Sequence, residues 1–169
     1  MFREMRRSRQ QLSEAESVEI LKAGKTGVLG VLGDDGYPYT VPVNYVYEDG
    51  KICFHGAKAG HKLDALTRCE KVSFCVIARD DVVPDKLTTY FKSVIVFGRA
   101  RVLKEEDEIL RAAWSLGLKY SDDREHIDSE IKRDWNALCC VEIAIEHMTG
   151  KEAIELTRAR SAGAKPETV

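Results

Sequence analysis

Between His55 and Leu66 the sequence reads His-Gly-Ala-Lys-Ala-Gly-His-Lys-Leu-Asp-Ala-Leu. The apolar run Ile52-Cys53-Phe54 leads into it like the end of a strand, and Leu63, Ala65, Leu66 and Cys69 follow at roughly helical spacing. A strand, a tight glycine turn and a helix start therefore share one short stretch. Gly56 and Gly60 let the backbone approach a ligand with no Cβ in the way. His61 and Lys62 fall in a first helical turn, where N–H groups lack partners. Donors, a dipole end and a cation converge there, which suits a phosphate. The stretch is not a Walker A loop, because His-Lys-Leu follows the second glycine. The same residues also read as a plain turn with Lys58, His61 and Lys62 solvated.

The rest of the chain limits the folds that can carry this turn. Its 169 residues, 44% of them hydrophobic, can bury one sizeable core, so a single domain is expected over 1–169. A net charge of −2 calls for neither nucleic acid nor an anionic membrane. The basic residues Arg3, Arg6, Arg7 and Arg9 read as a solvated arm over 1–12. No apolar run is long enough to span a bilayer and no secretory leader is evident, which makes a cytoplasmic location the expectation. The five cysteines form no Cys-x-x-Cys pair, so neither a disulfide framework nor a metal site is indicated.

Ser13 with Glu16 reads as a capping box opening a helix over roughly 13–23, which Gly24 ends. Thr26 to Leu32 and Pro38 to Tyr47 are β-rich runs across a tight Gly33-Asp34-Asp35-Gly36 turn and predict a hairpin. Pro42 cannot donate to a ladder, which places its strand at an edge or a break. The strand ending at His55 follows, then the glycine-started helix, a strand over Lys71 to Arg79 and a loop over Asp80 to Lys86. Thr88 to Leu103 is a long β-prone run in which Gly98 marks a bulge or bend. Glu105 to Leu118 and the stretch with Ile127, Ile131 and Trp135 read as helices, Leu138 to Ile145 as a sixth strand. The end, about 158–169, is expected to fray. Six strands in mostly consecutive hairpins, with helices inserted rather than alternating, predict an antiparallel barrel with flanking helices over a doubly wound sheet.

Several stretches together resemble the nitroimidazole-resistance (Nim) proteins, within the pyridoxamine 5'-phosphate oxidase-like flavin-binding split barrels. They are the Met5-Arg6-Arg7-Ser8-Arg9-Gln10 start, Gly36-Tyr37-Pro38-Tyr39, Pro42-Val43-Asn44-Tyr45, Phe54-His55-Gly56-Ala57, Gly60-His61-Lys62-Leu63-Asp64 and Ser93-Val94-Ile95-Val96-Phe97-Gly98. The resemblance implies a mainly β fold, a six-stranded antiparallel split β-barrel, in a homodimer with FMN at the subunit interface. It implies that His61 and Lys62 bind the FMN phosphate, with Gly56, Ala57 and Gly60 as close-approach backbone. Val41, Pro42, Val43, Asn44 and Tyr45 would run along the isoalloxazine edge, and Lys92 and Ser93 would reach the flavin of the other subunit. The oxidases proper carry a glutamine near Ser93 and further arginines that this chain lacks, so the resemblance extends to the flavin site and not to pyridoxamine phosphate oxidation.

The function expected is flavin-dependent reduction of small electron-poor molecules such as 5-nitroimidazoles. His55 is the expected proton donor, because an unperturbed imidazole titrates near neutrality and the residue closes a strand beside the turn. The alternative is a non-catalytic flavin- or haem-binding protein of the same fold.

Overall fold

The structure, a computed structural model, describes residues 1–163. The chain runs α1 (Glu14–Ala23), β1 (Thr26–Leu32), β2 (Pro38–Asn44), β3 (Val46–Glu48), β4 (Lys51–Ala57), α2 (His61–Arg68), β5 (Lys71–Val83) and β6 (Thr88–Val102). It continues through α3 (Glu106–Tyr120), α4 (Arg124–Asp134), β7 (Leu138–Glu152) and α5 (Ile154–Ser161). Helix α1 starts on the predicted capping box. The Ser13 hydroxyl accepts from the Glu16 N–H at 3.2 Å, and the Ser13 N–H donates back to Glu16 Oε2 at 2.9 Å.

All strands pair antiparallel in the order β2-β1-β5-β6-β7-β4-β3. The predicted hairpin is β1–β2, with Val31 opposite Tyr39 and Val28 opposite Pro42. Strands β2 and β3 are consecutive in sequence yet end opposite sides of this order, joined only through Tyr45. The sheet must therefore curl until its two edges meet, which makes it the expected split barrel.

That crossover also corrects the strand count to seven. The run from Pro38 to Tyr47 is continuous in β propensity, but at Tyr45 the chain leaves one edge of the sheet for the other. Two further limits move outward. The polar stretch predicted as a loop over 80–86 continues β5 to Val83, because Asp81 and Val82 pair with Tyr90 and Thr89 across a two-stranded ribbon. Strand β7 continues past Ile145 to Glu152, where its alternating polar side chains lie against β6. Gly98 does sit at a register shift between β6 and β7, and a Cβ there would overlap the Ala144 carbonyl oxygen. Part of the tail expected to fray is the helix α5, with Leu156 buried against Tyr90 and Ala153; residues 164–169 lie outside the described residues.

Period-2 alternation sends Leu29, Val31, Ile52, Phe54, Phe74, Val76, Val94, Val96, Val141 and Ile143 into the barrel, with Leu21 of α1 and Ala65 and Leu66 of α2 packed against them. Each large side chain so buried contributes about 1.5–3 kcal/mol. Helices α3 and α4 cover the outer face where β4 and β7 run, packing Ala113 and Ile131 over Cys140 and Leu138. No described helix is long and apolar enough to cross a membrane.

Tyr45 itself is fully buried, stacks edge-on to Phe74 at 5.0 Å and donates its hydroxyl to the Leu21 carbonyl at 2.7 Å. Its backbone N–H has no ladder partner and instead donates to the Tyr120 hydroxyl at 3.1 Å, while that hydroxyl lies 2.5 Å from the Lys25 carbonyl oxygen. Lys119 adds a second tie, donating to the Gly24 carbonyl at 2.6 Å with its ammonium 3.9 Å from the Tyr45 ring centroid. Burial pushes that ammonium down to about 8. Tyr120→Phe leaves the Tyr45 N–H unpaired, and a loss of about 1–3 kcal/mol is expected in denaturant unfolding with an unchanged m-value. Unaltered stability would mean that water replaces the hydroxyl.

Candidate functional site

The predicted glycine turn joins β4 to α2. Gly60 adopts φ +128°, a conformation that disfavours any residue with a Cβ, and caps α2 with no side chain. The Leu63 and Asp64 N–H groups both return to the Gly60 carbonyl, at 2.9 and 3.1 Å. The N–H groups of His61 and Lys62 precede the first helical bond and have no acceptor among the described residues. Lys62 folds back over β4 with its ammonium 5.2 Å from the Phe54 ring centroid and 3.2 Å from where a Cβ on Gly56 would stand. Glycine at 56 thus makes room for the cation. Among the described residues no carboxylate pairs with Lys62.

His61, grouped with Lys62 in the sequence reading, faces a different way. It stacks on Tyr39 at 4.2 Å and brings Nε2 to 3.4 Å from Asp34 Oδ2, and the same carboxylate receives Arg68 at 2.5 Å. The anion that His61 meets here is therefore part of the chain, in the β1–β2 turn. Lys58 and Ala57 are exposed at the rim.

On the outer side of β4 lies a cleft of about 430 Å³, walled by His55, Asn44 and Leu138 below and by Leu116, Tyr120, His126, Ile127, Glu130 and Asp134 of α3, α4 and their junction above. Two predicted site residues, Asn44 and His55, meet in it. Val43 and Tyr45 point into the core, Val41 packs half-buried against it, and Pro42 faces outward on the edge strand. The helical wall was not anticipated. Its signal in the sequence is the spacing of His126, Glu130 and Asp134, four residues apart and each beside or near the apolar positions Ile127 and Ile131, which places polar groups along one margin of the buried helix face.

Lys92 and Ser93 are not brought to this end. Lys92 pairs with Glu152 on β7, whereas His55 pairs with Cys140 on the same strand. The interval from Cys140 to Glu152 is about 40 Å along the strand at ~3.3 Å per residue. Lys92 there meets the buried Glu152 carboxylate at 3.4 Å.

The cleft shapes the chemistry of His55. The side chain is exposed and lines the cleft. Burial and then the Lys62 ammonium push its imidazole below the ordinary value, while Asp134 pulls partly back. Hydrogen bonds from Arg133 hold the Asp134 carboxyl below its usual range. His55 is thus a neutral imidazole at neutral pH, with an N–H to donate. Its folded value lies below its unfolded one, so the unfolded chain takes up the proton first. The stability linked to this group is complete above about pH 6.5 and is lost as pH falls through the depressed folded value. In thermal melts between about pH 7.5 and 5, the wild type should lose stability relative to His55→Gln; a difference that stays constant would mean an unperturbed imidazole.

The sequence model described as pyridoxamine 5'-phosphate oxidase matches residues 13–152. Among functionally curated proteins none matches the chain. Solved structures of similar fold include a conserved hypothetical protein of Mycobacterium tuberculosis, with a TM-score of 0.78, 22% identity and coverage of 98% of this chain and 97% of that one. A protein of Bacteroides thetaiotaomicron described as a candidate 5-nitroimidazole antibiotic resistance protein superposes with a TM-score of 0.70 at 18% identity, covering 84% of this chain and 86% of that one. An FAD and haem binding protein of Mycobacterium smegmatis gives 0.69 at 17% identity, covering 92% and 81%. The matched span runs from the cap of α1 to the last residue of β7 and so takes in every strand of the barrel and the glycine turn, and the chain belongs to the pyridoxamine 5'-phosphate oxidase family.

Proposed function

We propose that the protein is an FMN-dependent reductase of small electron-poor molecules, nitroaromatics such as 5-nitroimidazoles among them. The observation that carries this reading is Lys62: an ammonium held over Gly56 with no carboxylate partner, beside the open N–H groups that start α2. A phosphate monoester fits that donor set, since the cation, the two N–H groups and the helix dipole all favour a dianion. FMN, when bound, supplies the electron transfer that no side chain of this chain can provide. The protein's own part is placement. Strand β2 is an edge of the sheet, so the backbone groups of Val41 to Asn44 that face away from β1 are free to meet an amide-bearing ring, while those of Tyr45 are held by the Tyr120 hydroxyl. Asn44 and His55 close the base of the cleft, Leu116 and Ile127 give it an apolar roof, and the neutral His55 imidazole offers its N–H as a hydrogen bond to a nitro oxygen, with the protons of reduction coming from water. The likeness to the Bacteroides protein supports the choice of substrate class.

The experiment is a flavin titration. Lys62→Ala should weaken FMN by about tenfold to a hundredfold and leave riboflavin nearly untouched, because a charge-assisted contact is worth roughly 1.5–3 kcal/mol. Equal weakening of both flavins would remove the phosphate role. His55 and His126 share the cleft, so a Soret band in the purified protein, in place of flavin absorption, would establish the haem-binding alternative.

We infer further that the functional unit is a homodimer. On the outer face the row Pro42, Val28, Cys75, Ile95, Thr149 and the adjacent row Thr40, Gly30, Ser73, Phe97, His147 cross five strands without a charged side chain. Ile77, Ile95 and Phe97 are 59%, 42% and 40% exposed on it. An uncharged sheet face of this extent supports pairing with a second copy. It also gives Lys92 and Ser93, remote from their own chain's cleft, a site to serve in a partner. Ile95→Glu should yield a monomer in light scattering with at least tenfold weaker FMN binding; a dimer that persists would place the interface elsewhere.

A further inference from the structure

The basic N-terminal segment, read from the sequence as a solvated arm, is fastened at both ends. Phe2 stacks on His147 at 4.7 Å and on Phe97 at 5.6 Å. At the other end Gln10, 4% exposed, donates Nε2 to the Glu152 carbonyl at 2.9 Å, and the Leu12 N–H donates to the Gly150 carbonyl at 3.0 Å. Between these anchors the chain turns through Ser8–Gln10, and the exposed Arg6, Arg7, Ser8 and Arg9 with the buried Gln10 line an open hollow of about 370 Å³ against Ile154 of α5.

The charges in that cavity are uncompensated. Elsewhere Arg68, Arg99, Arg101, Arg133 and Arg160 each meet a carboxylate. Among the described residues Arg3, Arg6, Arg7 and Arg9 meet none. Two of the nearby acids are already engaged: the Glu152 carboxylate, 1% exposed, lies between Lys92 at 3.4 Å and Arg160 at 2.9 Å, and Glu155 accepts from the Thr88 hydroxyl at 3.2 Å, whereas Glu4 within the arm is exposed and meets no cation among the described residues. The Arg160 contact is an ion pair by distance without hydrogen-bond alignment, since Glu152 Oε1 has no hydrogen-bond partner. Holding several guanidinium groups around one hollow costs like-charge repulsion that an anion would relieve.

We propose that this cavity is a binding site for a diphosphate group, separate from the β4–α2 turn and independent of the flavin reading. A guanidinium fork engages two phosphate oxygens at once, and three such forks around a concave surface match the charge of a diphosphate. The hollow is short, formed by one turn of the arm, and backed by the Ile154 side chain. An extended nucleic acid strand would instead have to run past Glu14, Glu16 and Glu155 on a chain of net charge −2.

The test is calorimetric titration of the full chain with inorganic pyrophosphate and with ADP, in saturating FMN so that the β4–α2 turn is filled, at constant ionic strength. One site per chain is expected, weakened at least tenfold in the Arg6→Gln/Arg7→Gln variant and unchanged in Lys62→Ala. Arg6→Lys/Arg7→Lys, which keeps the charge and loses the forks, should fall between. Tighter binding of ADP assigns the site to a nucleotide, and equal binding to a free diphosphate. No uptake of either probe, affinity unchanged in the glutamine variant, or displacement of pyrophosphate by a tighter-binding duplex oligonucleotide would overturn the proposal.

Discussion

One residue closes the barrel. The chain passes from β2 at one edge of the sheet to β3 at the other through Tyr45 alone, so the backbone of that residue cannot join either ladder fully. Its N–H is buried, and leaving it unpaired would cost about 1–3 kcal/mol. Tyr120, at the end of α3, supplies the acceptor, and the Tyr45 hydroxyl in turn holds the last turn of α1 through the Leu21 carbonyl. Sheet closure, the seating of α1 and the position of the α3–α4 pair are thus one coupled arrangement.

The cleft is a consequence of the same contact. Bringing the end of α3 onto the crossover suspends α4 above the outer side of β4, and the space left between them contains Asn44, His55 and the polar margin of α4. Lys62 sits around the strand end from it, close enough for its charge to depress the His55 imidazole. One strand, β4, and its following turn thus carry both the Lys62 ammonium, which meets no carboxylate among the described residues, and the imidazole that lines the cleft under α3 and α4.

The two ends of the long β6–β7 pair carry different chemistry. At the His55 end the helices cover the sheet. At the other end the N-terminal arm, α5 and Lys92 gather around the buried Glu152. The outer face between them is left bare by the chain's own helices and holds no charge in two successive rows across five strands.

Local rules account for what the sequence determined by itself. The capping box at Ser13 and Glu16, the β1–β2 hairpin, the bulge at Gly98 and the strand–glycine–helix order around Gly56 and Gly60 each follow from neighbours a few residues apart, and each is present in the structure. What required the tertiary structure depends on partners far along the chain. Asp80 to Val83 is a strand only because Thr88 to Phe91 lies beside it, and Tyr45 breaks a uniformly β-prone run because the two flanking strands belong to opposite edges. His61 and Lys62 are adjacent in sequence and equally basic in appearance, yet Asp34, from another turn, takes one and leaves the other free. The arginine arm is likewise ordered by Gly150, Glu152 and His147. Propensity and capping are written in local sequence, whereas pairing, burial and the partner of each charge are settled by which distant segments the closed sheet brings together.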